Sequence, residues 1–325
     1  MVNADRPTFH CRVCAGNETS ATYEAREMMF GLRTKFHYAQ CFTCGSLSLV
    51  DPPTDYAIYY SADYYSFSGV HGGTKEFIKA FARAKRDAAY FDGGGLLGRF
   101  LARHLEDGAL LSVSKLGLAH DTRILDVGCG RGKLLYRMSN LGFTNLSGVD
   151  PFLHEEIGNE NGIRIRKAYL EDLPSEKYDL LMFHHSLEHV EDPRRTLLSA
   201  ARVLSAHGKC LVRLPVLSYA WERYGTDWVQ LSPPRHLWIP TEKAMADLAD
   251  FAGFRVEKVE YDSTPLQFWG SELCQRDIPL NTVDPLNVRA LFRIRQARDL
   301  RKRAEALNFA GRGDQAVFHL RVQRA

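Results

Sequence analysis

The sequence predicts an α/β protein: a mainly parallel sheet with helices on both faces, preceded by a four-cysteine module and a helical connector. Three observations carry this expectation. From residue 120 onward, short apolar runs alternate with helix-like stretches, the pattern of strands joined by crossover helices. The first of these runs, "ILDVGCGRG" (124–132), leads a buried strand into a glycine loop. Near the start, "CRVC" (11–14) and "CFTC" (41–44) repeat one spacing, which can point four sulfurs at one ion.

Length and composition set the bounds. A chain of 325 residues with 45% hydrophobic and 25% charged side chains can build two domains, or one large domain with an addition. No apolar run approaches the ~18 residues of a membrane helix. The start, "MVNADRPTFH", lacks the basic-then-apolar order of a secretion signal. The expectation is a cytoplasmic protein without a membrane span. A net charge of +3 is too small to argue for nucleic acid by itself.

The elements follow in order. Cys11, Cys14, Cys41 and Cys44 flank strand-like runs such as "KFHYAQ", and Gly16 and Gly45 sit where each knuckle must turn. This reads as a structural zinc ribbon, because four thiolates leave no open position for a substrate; redox pairs or free thiols are the alternative. Cys129, Cys210 and Cys274 are scattered, as buried thiols are in a reducing compartment. "VDPPTD" (50–55) marks a boundary, and a tyrosine-rich stretch follows. Apolar residues at Phe77, Ile78, Phe81, Ala84, Ala88 and Phe91 keep helical spacing, and "LLGRFLARHL" continues it, so helices are expected from about 74 to 118. Strands are then expected at "TRILDV", "LSGVDP", "IRIRKAYL", "YDLLMFHHS", "GKCLVRLP", "RVEKVEYD" and "QAVFHLRV". Helices are expected at "LLYRMSNLG", "RRTLLSAARVL" and "TEKAMADLADFAGF", the last capped by Thr241. The stretch at about 265–312 reads as an insertion with a basic helix. The organisation expected is a ribbon at 1–52, a tyrosine-rich helical connector or lid at 53–118, and an α/β domain at 119–325.

The glycine loop shows what it holds. Gly128, Gly130 and Gly132 let the backbone approach a ligand. Their spacing is not that of a dinucleotide loop, and Asp126 just before them would repel a pyrophosphate but welcome an ammonium group. Asp150 ends the next strand, 24 residues on, where Rossmann-like folds place an acid for ribose hydroxyls.

On "ILDVGCGRG", "GVD", "YDLLMFHHSLEHVEDP" and "ARVLSAHGKCLV", the stretch from about 120 to 262 resembles the class I S-adenosylmethionine-dependent methyltransferases. The resemblance implies a seven-stranded sheet whose last strand is antiparallel. It implies that Asp126, Gly128, Cys129 and Gly130 hold the methionine moiety, that Asp150 with Pro151 holds the ribose, and that Tyr169 and Leu170 flank the adenine. His184 would stand at the cofactor. Tyr169 departs from the pattern, since many relatives carry an aspartate there. The whole arrangement of ribbon, tyrosine-rich link and catalytic fold is similar to bacterial methyltransferases acting on sugars of polysaccharides, nucleotide sugars and glycosylated natural products. That implies a sugar-containing small-molecule acceptor. An RNA methyltransferase gripping the backbone with ribbon and basic helix is the alternative, and a non-catalytic interaction protein is a third class.

A hydroxyl acceptor needs a base or a metal. Three readings compete at "HHSLEHVEDP" (184–193). His185, Glu188, His189 and His236 could ligate a divalent ion, resembling the E-x-x-E-H pattern of some methyltransferases with histidine in place of the first acid; imidazoles would favour zinc-like or iron-like ions. One histidine, His236 or His189 first, could serve as general base. Glu188 and His189 could instead be structural, with Asp192 capping a helix that Pro193 begins. Tyr59, Tyr60, Tyr64 and Tyr65 could form a lid or pack the ribbon. Trp221, Trp228, Trp238 and Trp269 read as core more than pocket, and Arg289 to Arg303 as a solvated helix face.

Overall fold

The computed structural model describes residues 9–60, 74–91, 93–160, 162–283 and 294–323. In chain order the elements begin with β1 (Thr19–Arg26), β2 (Lys35–Cys41) and β3 (Leu47–Leu49), then α1 (Thr74–Phe91), α2 (Gly95–His104) and α3 (Gly108–Ser114). The alternating part holds β4 (Ile124–Val127), α4 (Lys133–Ser139), β5 (Leu146–Val149), β6 (Ile157–Glu160), β7 (Ile163–Arg166), β8 (Tyr178–His184), α5 (Pro193–Val203) and β9 (Leu204–Pro215). There follow α6 (Tyr219–Tyr224), β10 (Trp238–Ile239), α7 (Glu242–Phe251), β11 (Phe254–Tyr261), α8 (Leu266–Gln275), α9 (Ile294–Phe309) and β12 (Gln315–Val322). The chain forms two compact units. One comprises residues 1–59, 187–198 and 214–323; the other comprises 60–186 and 199–213. The ribbon residues therefore share a unit with the later half of the chain.

In the second unit β4 pairs in parallel with β5 and β8, β5 with β7, and β8 with β9. Every residue of β4 is buried, as expected of a strand covered on both faces. The loops after β4, β5, β7 and β8 thus open at one edge, the carboxyl edge where ligands of open α/β sheets bind. The sheet expected to have seven strands has eight. The addition is β6, which pairs antiparallel with β7; Asn161-Gly162 stands between them in the sequence, and Gly162 has φ 77°. Asn-Gly is a hairpin signal that the strand count passed over. The expected helical stretch from 74 to 118 is three helices, separated first around Gly93 and Gly94, whose φ values are positive, and then at residues 105–107.

Helix starts follow local chemistry. Asp107 accepts from the Leu110 amide at the start of α3. Asp192 accepts from the Arg195 amide, with Pro193 at the first position of α5. Thr241 accepts from the Ala244 amide at the start of α7. A charge network ties α1, α3 and α4 together: Arg137 contacts Asp87 at 2.8 Å and Asp107 at 2.9 Å, and Arg86 contacts Asp87 at 2.7 Å and Asp107 at 3.2 Å.

In the first unit β1, β2, β3 and β10 form one antiparallel sheet in that order. The ribbon sheet thus takes its last strand from residues almost two hundred positions later. Trp228 and Trp238 are fully buried core. β11 and β12 pair antiparallel from Phe254 opposite Val322 to Tyr261 opposite Ala316, which agrees with the antiparallel final strand implied by the resemblance.

Candidate functional site

The glycine loop sits where the sequence places it. Gly128, Gly130 and Gly132 have φ values of 73°, 53° and 75°, in the left-handed region that favours glycine. A Cβ on Gly128 would stand 2.4 Å from the Ser186 Cβ, and one on Gly132 would stand 2.2 Å from Ile165 Cδ1. Asp150 braces the loop: its Oδ2 accepts from the Gly130 amide at 2.8 Å and its Oδ1 from the Phe152 amide at 2.9 Å. Asp126 lies buried at the end of β4. Burial first, then the like charge of Asp150, raises its carboxyl to about 8. A buried acid raised by burial and by a like-charged neighbour is stabilised in its ionised form by a cationic ligand. The α-ammonium of S-adenosylmethionine is such a group, so the residues fit the cofactor.

The remaining cofactor candidates lie at the same edge of the second unit. Cys129 is largely buried, its Sγ 3.4 Å from the Gly130 carbonyl, and burial pushes its thiol well up. Pro151 directly follows Asp150, and Leu170 is buried at the head of a short 3-10 turn. Tyr169 precedes that turn and is exposed. His184 closes β8, and among the described residues neither buried ring nitrogen has a hydrogen-bond partner. Burial, then Arg213 and His185, lowers its pKa to about 3, so it is a neutral ring with unused polar atoms. His185 takes φ 52° and donates its amide to the Arg213 carbonyl at 2.9 Å. Ser186, which the sequence reading missed, donates from Oγ to the Val127 carbonyl at 2.6 Å and fills the space below Gly128.

The first unit gathers Glu188, His189 and His236, whose ligand atoms lie within 4.8 Å of one another. His185 belongs to the other unit and is not in this group; the four-residue ligand set expected from sequence is three. The local fold fixes both imidazoles. His189 Nδ1 lies 2.7 Å from the Arg235 carbonyl, and His236 Nδ1 lies 2.7 Å from the Gln230 carbonyl. A carbonyl only accepts, so each Nδ1 carries a proton, and in the neutral His236 ring the Nε2 keeps its lone pair. The His236 Nε2 stands 3.9 Å from Glu188 Oε1, and the two rings meet edge to face at 4.9 Å. Burial, then His189, pushes His236 down to about 3.

Three further residues, Tyr38, Leu237 and Arg235, surround this group, and no short-range sequence signal announces them. Tyr38 on β2 donates from its hydroxyl to the His236 carbonyl at 2.7 Å. Leu237 donates its amide to the Glu188 carbonyl, and Trp238 then pairs with Ser48 of β3. Arg235 is buried beside Glu27 at 3.5 Å, and the Glu27 carboxylate takes the amides of Met29, Phe30 and Leu32.

Cys11, Cys14, Cys41 and Cys44 also converge, with Cys11–Cys44 at 3.6 Å and Cys14–Cys41 at 3.5 Å. Sulfurs at about 2.3 Å from a tetrahedral zinc ion stand about 3.8 Å apart, so the four fit one. Bonds from Cys11, and then from Ser46, lower the Cys44 thiol to about 5, while burial lifts Cys14 to about 11. Sharing of protons among close sulfurs is what an ion would replace. The turn at the first knuckle is taken by Ala15, at φ 63°, not by Gly16; Gly16 is instead needed for space, since a Cβ there would lie 3.3 Å from Cys14 Sγ. Gly45 turns at φ 73° as expected.

The tyrosines part company. Tyr59 is buried with its ring 5.7 Å from Phe36, whereas Tyr60 stacks on Phe152 at 6.4 Å. Tyr64 and Tyr65 lie outside the described residues.

Comparison with known proteins bears on the second unit above all. Residues 84–259 match the family model described as a methyltransferase domain. A ubiquinone biosynthesis O-methyltransferase of Cereibacter sphaeroides is 30% identical over 182 residues, 50% of this chain and 71% of that protein. A tRNA U34 carboxymethyltransferase of Campylobacter hominis is 33% identical over 96 residues, 27% of this chain and 34% of that protein. Among solved structures, an S-adenosylmethionine-dependent methyltransferase from Mesorhizobium loti superposes with a TM-score of 0.44 at 20% identity, over 67% of this chain and 99% of that one. With a family model covering more than half its length and the buried acids around a glycine loop, this chain belongs to the class I S-adenosylmethionine-dependent methyltransferases.

Proposed function

We propose that the enzyme methylates a hydroxyl of a small polyhydroxylated acceptor, a sugar or glycan precursor, and that Glu188, His189 and His236 activate that hydroxyl. The observation that carries this reading is the orientation of the two imidazoles. Both are anchored through Nδ1 to backbone carbonyls, and the His236 Nε2 stands 3.9 Å from the fully buried Glu188 carboxylate. The O-methyltransferase name of the Cereibacter relative supports oxygen as the acceptor atom. Asp126, Asp150 and the glycine loop would hold S-adenosylmethionine, which supplies the electrophilic methyl group. The four cysteines would hold a structural zinc ion.

Two imidazoles and one carboxylate are also the donor set of a divalent transition-metal site. The low proton affinity of His236 favours this role over that of a lone base, because a ring with a pKa of about 3 takes a proton poorly near neutrality. A cation bound there supplies Lewis acidity, lowering the pKa of a coordinated hydroxyl. The chain contributes the rest: the Gln230 and Arg235 carbonyls fix the tautomers, and Tyr38 fixes the loop that carries His236.

The test is methyl transfer to sugar-containing acceptors before and after exhaustive chelation, with metal content followed throughout. Loss of transfer with the ribbon zinc retained, restored by a divalent transition metal, supports the ion. Full activity after chelation, with His189→Ala and His236→Ala inactive, leaves the histidines as bases. Unimpaired transfer in both variants rejects the group altogether.

A further inference from the structure

Helices α1 and α2 of the second unit turn a group of large apolar side chains to solvent. Ile78, Phe81, Leu97 and Phe100 are each more than half exposed, and Leu96 is 86% exposed. The helices themselves are firmly held. Asp87 of α1 is buried in the ion network with Arg86 and Arg137. At Gly98 a Cβ would stand 2.5 Å from the Lys85 carbonyl, so α2 lies directly against α1. The exposed apolar residues are therefore set on a fixed helical pair rather than on fraying ends. Each helix mixes them with exposed cations. Between residues 78 and 105 the exposed charged side chains among the described residues are Lys79, Arg83, Lys85, Arg99 and Arg103, all cations.

We propose that the α1–α2 pair is a docking surface for anionic lipid headgroups, with the aliphatic and phenyl side chains entering the headgroup–acyl boundary. Helices that lie on a membrane combine an apolar face with Lys and Arg in this way. The charge selects among occupants. A second copy of this chain docking the same patch across a two-fold axis would oppose cation to cation. An RNA backbone would be met by the cations, but Ile78, Leu96 and Leu97 offer no flat face for base stacking. A surface carrying both negative charge and accessible hydrocarbon answers both features. Such docking is peripheral; no described helix is long and apolar enough to cross a membrane.

The experiment is flotation of the full chain with vesicles of phosphatidylcholine plus phosphatidylglycerol, and with phosphatidylcholine alone. Binding is expected to the anionic vesicles only. Leu96→Asp with Phe100→Asp, and separately Arg99→Glu with Arg103→Glu, should each weaken it by about tenfold or more. Unchanged S-adenosylmethionine affinity in both variants would show that the fold is intact. Absence of wild-type binding to anionic vesicles overturns the proposal, as does binding that ignores both pairs of substitutions. It is also overturned if sedimentation shows a stable dimer that Leu96→Asp with Phe100→Asp dissolves, or if RNA displaces the vesicles while the apolar variants bind normally.

Discussion

A carboxylate buried on a parallel strand beside a second acid holds its proton past the ordinary range. Asp126 is in that position, with a pKa of about 8 against an ordinary 3.8. The native chain therefore keeps a proton that the unfolded chain has lost, and this group withdraws stability as pH rises from about 4 to about 8. A cationic ligand reverses the preference. Binding of S-adenosylmethionine is expected to release a proton near neutrality and to tighten as pH approaches 8. Asp126→Asn should weaken binding by about 10- to 100-fold and abolish the proton release, while stabilising the free chain above pH 8. Calorimetric titration in two buffers of different ionisation enthalpy reads both quantities, and unchanged affinity in the variant would contradict the assignment. At this scale the sequence was informative wherever function and backbone share one residue. Asp126, the loop glycines and the four cysteines are such positions. It was silent where the partner is remote: Tyr38 meets the His236 carbonyl across 198 positions, and Ala15 adopts a left-handed turn that its residue type does not advertise.

Elements in this chain are fixed by a few strong local signals and joined by contacts that have none. Asp192–Pro193 and Thr241 begin their helices as their residue types suggest. The pairing of β3 with β10 follows from no periodicity, because β10 is two residues long. It nevertheless makes the ribbon sheet the support of the loop bearing His236. Disrupting the proposed zinc site of the four cysteines should therefore loosen that loop as well as the knuckles. Cys41→Ser is expected to lower zinc content and to raise hydrogen exchange at Leu237 and Trp238; protection there equal to wild type would separate the two. The second unit has its own keystone in Asp87, whose loss leaves Arg86 and Arg137 to share the single, less buried carboxylate of Asp107. Asp87→Ala should cost about 3–5 kcal/mol of stability, measured by denaturant unfolding. A change under about 1 kcal/mol would place the network among surface pairs.

For the whole molecule, the alternation of strands and helices made the fold class legible, because parallel sheets impose long apolar runs and crossover helices. The division into compact units was less legible. The ribbon reads as a separate module, yet residues 1–59 group with 187–198 and 214–323. The residues proposed to hold the methyl donor belong to one unit, and the Glu188–His189–His236 group to the other. A chain built this way should bind its cofactor without that group and should fail to use it. Single-turnover methyl transfer by the His236→Ala chain, with S-adenosylmethionine affinity measured on the same sample, tests this most directly. Transfer is expected to fall by about 100-fold or more while affinity stays at the wild-type value; transfer at the wild-type rate would contradict a role for the group in activating the acceptor.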